Sequence, residues 1–206
     1  MFRFVLLVIK KMPDQIKIKS QYKFYPLTKE RWNDFTELFG EKGGCAGCWC
    51  MYWRVRRKLY EQNKGERNKS AIKKIITSGT IPGILAYKNS EPVGWCSVAP
   101  RNDFPVLENS RILKRIDENP VWSVVCFFIK KEFRGSGVSI NLLESAKKYV
   151  KEKGGKIIEG YPIEPKRAKF PEAFAWVGLA SAFRKSGFKE IDRRSETRPI
   201  MRFILK

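Results

Sequence analysis

The 206-residue sequence contains no histidine. Ser-His-Asp and Cys-His catalysis are thereby excluded, as is every zinc site that relies on imidazole. Acidic residues are scarce: 21 Asp and Glu stand against 42 Lys and Arg, a net charge of +21. Cysteines number only five, an odd count. No apolar run approaches the ~20 residues that a membrane-spanning helix needs. A secretory signal is not expected either. The opening MFRFVLLVIKKMPDQ has an apolar core from Phe4 to Ile9 only. That is shorter than the ~7–15 residues of a signal core, and no small-residue cleavage site follows. Residues 1–12 read as an N-terminal extension before one domain over 13–206. The thiols read as free, in a reducing, cytoplasmic setting. Neither a low-complexity linker nor an internal repeat divides the chain.

What is present describes a globular chain, 43% apolar. The charge excess favours anionic partners: nucleic acid, an acidic surface or a phosphorylated small molecule. The basic residues are scattered and not gathered in one tail, which equally describes a solvated Lys-rich surface.

Residues 16–26, IKIKSQYKFYP, alternate partly and predict a strand. Thr28 is placed to cap a helix whose face carries Trp32, Phe35, Leu38 and Phe39 and which stops at Gly40. The segment from Gly40 starts as a Gly-rich loop and turns helical near Trp49, and a short helix is expected over 69–78. ILAYKNSEPVGWCSV (84–98) predicts two strands joined by an Asn-Ser-Glu-Pro turn. VWSVVCFFI (121–129) has the unbroken apolar character of a central strand buried on both faces. Ser139 to Lys153 predicts an amphipathic helix ended by Gly154-Gly155. A strand over 156–163, a helix over 172–186 and two closing strands complete an α/β alternation around a mixed sheet.

Between the central strand and the amphipathic helix lies KKEFRGSGVS, residues 130–139. Gly135 and Gly137 let the backbone turn and approach a ligand with no Cβ in the way. The free N–H groups of the first helical turn attract an anion, and Arg134 adds a charge-assisted bond. An ordinary strand-to-helix turn fits the same residues. A P-loop does not, because Gly-Lys-Ser/Thr is absent, and a dinucleotide fingerprint lacks its third glycine.

Arg134-Gly135-Ser136-Gly137-Val138-Ser139 resembles the acyl-CoA signature Arg/Gln-x-x-Gly-x-Gly/Ala of the GNAT acetyltransferase superfamily. Ser139 replaces the usual final Gly or Ala, and Lys131 stands where proline often precedes the signature. AFRKSGF (182–188) resembles the superfamily's helix-to-strand ending, with Phe183 at the usual tyrosine position. The blocks GCWCMYWR (47–54), EGYPI (159–163) and TRPIMRF (197–203) resemble a bacterial and archaeal branch.

The resemblance implies a single α/β (α+β) domain. Its central sheet would be mixed, mostly antiparallel and twisted, with helices on its flanks and central strands splayed into a CoA cleft. It implies acetyl-CoA as co-substrate, held by Arg134, Gly135, Ser136, Gly137, Val138 and Ser139 at its pyrophosphate. Phe127, Phe128 and Ile129 would lie along the pantetheine, with Ser181 and Phe183 beside it. An amine then attacks the thioester directly. That step needs alignment, an oxyanion donor, for which the Phe127 N–H is the candidate, and a base. Without histidine the candidate bases are Glu159 and Glu164, which also fit surface carboxylates at a strand end. Phe183 cannot protonate the departing thiolate. Water, Tyr161 or the Ser181 hydroxyl takes that part, or the thiolate leaves unprotonated. Cys126 fits either an acetyl-cysteine intermediate or simple packing.

Cys45, Cys48 and Cys50 form C-x-x-C-x-C, a spacing able to hold a metal. A fourth ligand would have to come from Cys96 or Cys126 in predicted strands, so no metal is expected. The segment's place in the chain suggests the acceptor side of the cleft. Trp49, Tyr52, Trp53 and Arg54 there would suit a small-molecule or peptide amine with an apolar body or an anionic far end, or would simply be core. The competing function is a basic nucleic-acid- or ribosome-associated protein. It calls for exposed aromatics among the basic residues, and here aromatics concentrate in strands and around the cysteines. Specific nucleic-acid binding and a membrane partner are not expected, and a homodimer is left open.

Overall fold

A computed structural model describes residues 21–166 and 172–206. Among these are seven strands in one sheet: β1 (Lys23–Pro26), β2 (Gly83–Lys88), β3 (Glu91–Pro100), β4 (Trp122–Ile129), β5 (Ile157–Gly160), β6 (Lys189–Arg193) and β7 (Pro199–Ile204). Their spatial order is β1-β2-β3-β4-β5-β7-β6. Every pairing is antiparallel except β4 with β5. The helices are α1 (Trp32–Phe39), α2 (Arg57–Gln62), α3 (Glu66–Thr77), α4 (Pro105–Glu108), α5 (Val138–Glu152) and α6 (Ala180–Lys185). The expected mixed, mostly antiparallel sheet with flanking helices is therefore observed. The first part of the expected 16–26 strand, and the 1–12 extension, lie outside the described residues.

Alternation along each strand divides the core into two layers. Leu85, Trp95 and Val125, with Cys126 brought to the same face where the β3–β4 register shifts, face a layer built with Phe35, Phe39, Ile72 and the cysteine segment. Ile84, Cys96, Val98 and Phe127 face the layer of α5, with Leu142, Leu143, Ala146 and Phe183. Burying each of these large apolar side chains contributes about 1.5–3 kcal/mol.

Three elements depart from the sequence reading. The helix expected from Trp49 starts only at Arg57, because Trp49 and Cys50 hold φ of 42° and 59°, outside the right-handed helix. The helix expected over 172–186 is split into a 3-10 turn (Glu172–Val177) and α6. Gly178, at φ 85°, separates them, and a Cβ there would lie 2.8 Å from the Phe127 ring. Thr28 does not cap α1 with its side chain, and a 3-10 turn at Lys29–Arg31 intervenes. The expected Asn-Ser turn is present, with Asn89 and Ser90 both at positive φ, as a tight hairpin requires.

The sheet opens at its middle. β4 pairs with β5 only from Trp122 to Val124, opposite Ile158 to Gly160. β4 then runs on to Ile129 while β5 has ended. A bulge between Ser97 and Val98 breaks the β3–β4 register at the same level. This splay positions the candidate site.

Candidate active site

Beyond Val124 the edge of β4 turned toward β5 has no strand beside it among the described residues. The antiparallel alternation decides which groups it presents. The Lys130 N–H donates to the Val93 carbonyl at 3.0 Å, and Phe128 opposite Trp95 is the next hydrogen-bonded pair. Phe127 and Ile129 therefore turn their backbone groups to the open edge. Consistently, the Ile129 carbonyl accepts from Arg134 Nε at 3.1 Å.

The open edge runs into the loop that begins α5. Gly135 and Gly137 sit at φ 75° and 83°. A Cβ on Gly135 would meet nothing within 4 Å, and one on Gly137 only Asn141 Nδ2 at 4.0 Å. The glycines are thus required by backbone shape, and the space before them is open. The Asn141 N–H makes the first helical bond, to the Gly137 carbonyl. The N–H groups of Val138, Ser139 and Ile140 have no acceptor within the helix, and the helix dipole stands behind them. Ser136 accepts or donates with Tyr22 at 3.0 Å and donates to the Phe133 carbonyl at 2.7 Å, which fixes the turn. This geometry fits a pyrophosphate.

On the opposite layer, a cavity of ≈270 Å³ touches β4 at Cys126, Phe127 and Phe128. Tyr52, Trp53, Tyr60 and Trp176 supply aromatic walls, and Cys45, Cys48 and Cys50 supply sulfur. Trp53 is held by its indole N–H, which donates to the Val125 carbonyl at 3.1 Å. Trp49 is 3% exposed and stacks on Phe39 at 5.7 Å, in the core behind this wall. Arg54 is buried, donates to the Pro82 carbonyl at 3.1 Å and stands 3.7 Å from Asp103. Among the described residues no group of three Cys, Asp or Glu side chains is arranged to hold a metal ion.

The three residues expected to move protons lie elsewhere. Glu159 is 1% exposed. Its Oε1 accepts from Arg101 at 3.0 Å and from the Tyr161 hydroxyl at 2.6 Å, and its Oε2 from Arg202 Nε at 2.6 Å. Tyr161 also meets Ser123 at 2.9 Å and Arg101. Burial, and then the Glu159 charge, push its hydroxyl well above the ordinary range. Glu164 is gripped by Arg184 and Arg193, each at 2.5 Å, which holds its carboxyl down at about 2. Phe183 is fully buried between Gly160, Gly178 and Phe188, whereas Ser181 is exposed at the start of α6.

The family model described as "Acetyltransferase (GNAT) family" matches residues 32–161. The chain belongs to the GNAT acetyltransferase family. Solved GNAT-fold structures align over most of its length. PaiA N-acetyltransferase from Thermoplasma acidophilum, in complex with coenzyme A, is 19% identical. It covers 89% of this chain and 98% of its own, at TM-score 0.51. YncA from Salmonella typhimurium, with its cofactor acetyl-CoA, is 12% identical, covering 90% and 95% at TM-score 0.51. A GNAT-family acetyltransferase from Listeria monocytogenes is 11% identical, covering 89% and 95% at TM-score 0.55. At these identities the likeness is one of fold. No curated protein matches the sequence.

Two features of this GNAT chain escaped the sequence reading. Arg101 binds Glu108 at 2.8 Å, Glu159 and the Leu113 carbonyl, joining the β3 end to β5. Cys50 receives the Trp95 indole N–H at 3.2 Å. Neither has a motif to mark it, since Glu159 reaches Arg101 from 58 positions away and Trp95 reaches Cys50 from 45.

Proposed function

We propose that this GNAT chain transfers the acetyl group of acetyl-CoA to a primary amine by direct attack within a ternary complex. The observation that carries the reading is the junction of three features at one place. The unpaired β4 edge, the anion-attracting start of α5 and the aromatic cavity meet at Cys126–Ile129.

As in the family, acetyl-CoA serves as the co-substrate. Its pyrophosphate rests on the loop from Arg134 to Ser139. Its pantetheine follows the free edge at Phe127 and Ile129, with Phe128 at the cavity rim and Ser181 and Phe183 across the splay. The Phe127 N–H, turned to this edge, is placed to donate to the oxyanion that develops at the thioester carbon. The acceptor amine enters the cavity between Tyr52, Trp53 and Trp176, whose apolar faces suit an amine with an apolar body. Trp49 and Arg54 support that wall from behind.

Glu159 and Tyr161 are occupied with Arg101, Arg202 and Ser123, and Glu164 with two arginines. We give all three a supporting part, fixing β5 and the segment after it, and not the proton transfer.

The test is incubation of the full chain with acetyl-CoA and benzylamine, tryptamine, glucosamine or a lysine-containing peptide. Released CoA thiol and the mass of the product are read together. Thiol release with one acetyl group gained by an amine supports the reading. Thiol release matched only by free acetate contradicts it.

A further inference from the structure

The cavity is lined in part by a cysteine pair that the transfer scheme above leaves unused. Cys50 is 5% exposed and lines the cavity beside Cys126. An indole N–H only donates, so the Trp95 contact at 3.2 Å makes the Cys50 sulfur an acceptor. Cys126 lies beside it on the cavity wall, its thiol reaching the Phe127 carbonyl at 3.8 Å. The Ser97 hydroxyl nearby is committed to the Pro82 carbonyl, to which it donates at 3.1 Å. A buried sulfur that accepts an N–H and donates to no acceptor among the described residues is suited to the thiolate form.

The charge balance points the same way. Arg54 is 8% exposed, its Nε has no partner among the described residues, and its nearest carboxylate, Asp103, stands 3.7 Å off. Its head donates to the Pro82 carbonyl at 3.1 Å and lies over the Phe104 ring at 4.5 Å, neither of which carries a full charge, so a second anion would complete its pairing. Cys50 is the group that can supply it.

We propose that the Cys50 thiolate is the proton acceptor for the incoming amine. The inference rests on the reading of the chain as an amine acetyltransferase. The acceptor enters as R–NH3+, and one proton passes to the Cys50 sulfur. The neutral nitrogen then attacks the thioester carbon, forming the C–N bond as the C–S bond breaks. The second nitrogen proton goes to the departing CoA thiolate, and the Cys50 thiol returns its proton to solvent. No oxidant or reductant is involved.

The electrostatic surroundings support this assignment. The Cys126 hydrogen bond and then the Arg54 charge outweigh burial and bring the Cys50 thiol down to about 6. The other titratable groups facing it are Cys126 on β4, Cys96 on β3 and Cys48 in its own segment. All three are raised: Cys126 first by its bond to Cys50, the other two first by burial. They therefore stay protonated while Cys50 ionises. At the outer cavity, Glu61 and Lys64 pair with each other.

The experiment compares wild type, Cys50→Ser and Trp95→Phe, each as the full chain checked for folding by near-ultraviolet circular dichroism. Thiolate absorbance in the ultraviolet is followed from pH 5 to 9, and kcat/KM is measured with the amines named above. In the wild type, one thiolate should appear near pH 6, and the rate should rise along the same limb. Cys50→Ser should lose that thiolate and about 10²–10⁴-fold in rate. Trp95→Phe should move both limbs to higher pH, with the rate recovering in base, which a purely structural role for the indole would not produce. Should Cys50→Ser fail to fold, the Trp95→Phe shift decides. Three results would overturn the assignment alone: no thiolate below pH 8, an unshifted rate limb in the variants, or an acetyl group retained on Cys50 after acetyl-CoA alone. Absence of transfer to any amine by a wild type that shows the thiolate would instead defeat the parent reading, and this assignment with it.

Discussion

Trp95 on β3 hands its indole N–H to the sulfur of Cys50, 45 positions earlier in the chain, across 3.2 Å. The contact ties the cysteine segment to the sheet where the β3–β4 register is broken by a bulge. It makes the cavity wall part of the core, so the wall is held rigid where an amine must be aligned.

Gly137→Glu should fold and lose acetyl-CoA. Positive φ costs a non-glycine residue about 1–2 kcal/mol, and the space around the new side chain is open. Its carboxylate would stand where the pyrophosphate belongs. Calorimetry should show a loss of affinity of at least ~100-fold, about 2.7 kcal/mol, with a melting temperature only modestly lowered.

Gly160→Ala should do the reverse and strike the fold. The new methyl would lie 2.1 Å from Cε1 of Phe183, in a packed layer. Overpacking of this kind costs about 1–3 kcal/mol. Adding Phe183→Leu should restore part of the thermal stability, and a strictly additive double variant would contradict the contact.

Arg101→Ala should be among the most damaging single changes. It leaves Glu159 buried with Arg202 as its remaining guanidinium partner, and removing one side of a buried ion pair costs about 3–5 kcal/mol. Replacing Arg101 by Met and Glu159 by Leu together should cost less than Arg101→Ala alone. Urea denaturation of the variants is the check.

Stability should fall in acid for a nameable reason. Glu164, ordinarily near 4.5, and Asp117, ordinarily near 3.8, are both held at about 2 by arginines. Lowered carboxylates stabilise the folded state above their ordinary values and lose that contribution as pH falls through the folded ones. The loss therefore begins near pH 4.5 and is complete near pH 2. Glu164→Gln with Asp117→Asn should flatten the melting temperature over that range.

Nucleic acid should bind weakly and non-specifically. Tyr25 is the one exposed large aromatic among the described residues, so bases find little to stack on. Gel shifts should give weak binding that fades as salt rises. Sub-micromolar binding at physiological ionic strength would restore the nucleic-acid reading.

The sheet, its order of elements and the 134–139 loop were legible because their signals are contiguous. An unbroken apolar run marks β4, and a Gly-Ser-Gly turn marks the start of α5. Helix bounds failed where backbone angle overrode pattern, at Trp49, Cys50 and Gly178. The fate of Glu159 was hidden because its partners, Arg101 and Arg202, lie 58 and 43 positions away. Cys50 was visible as a member of C-x-x-C-x-C, but its donor, Trp95, comes from β3, and only folding brings the two together.

The most direct measurement is a crystal structure of the full chain with acetyl-CoA. The account predicts pyrophosphate oxygens on the N–H groups between Arg134 and Ser139, and pantetheine along Phe127 and Ile129. It puts the thioester oxygen at the Phe127 N–H and the acetyl methyl toward the cavity of Cys50 and Cys126. Acetyl-CoA seated away from the β4 edge, or with its acetyl group turned from that cavity, would contradict it.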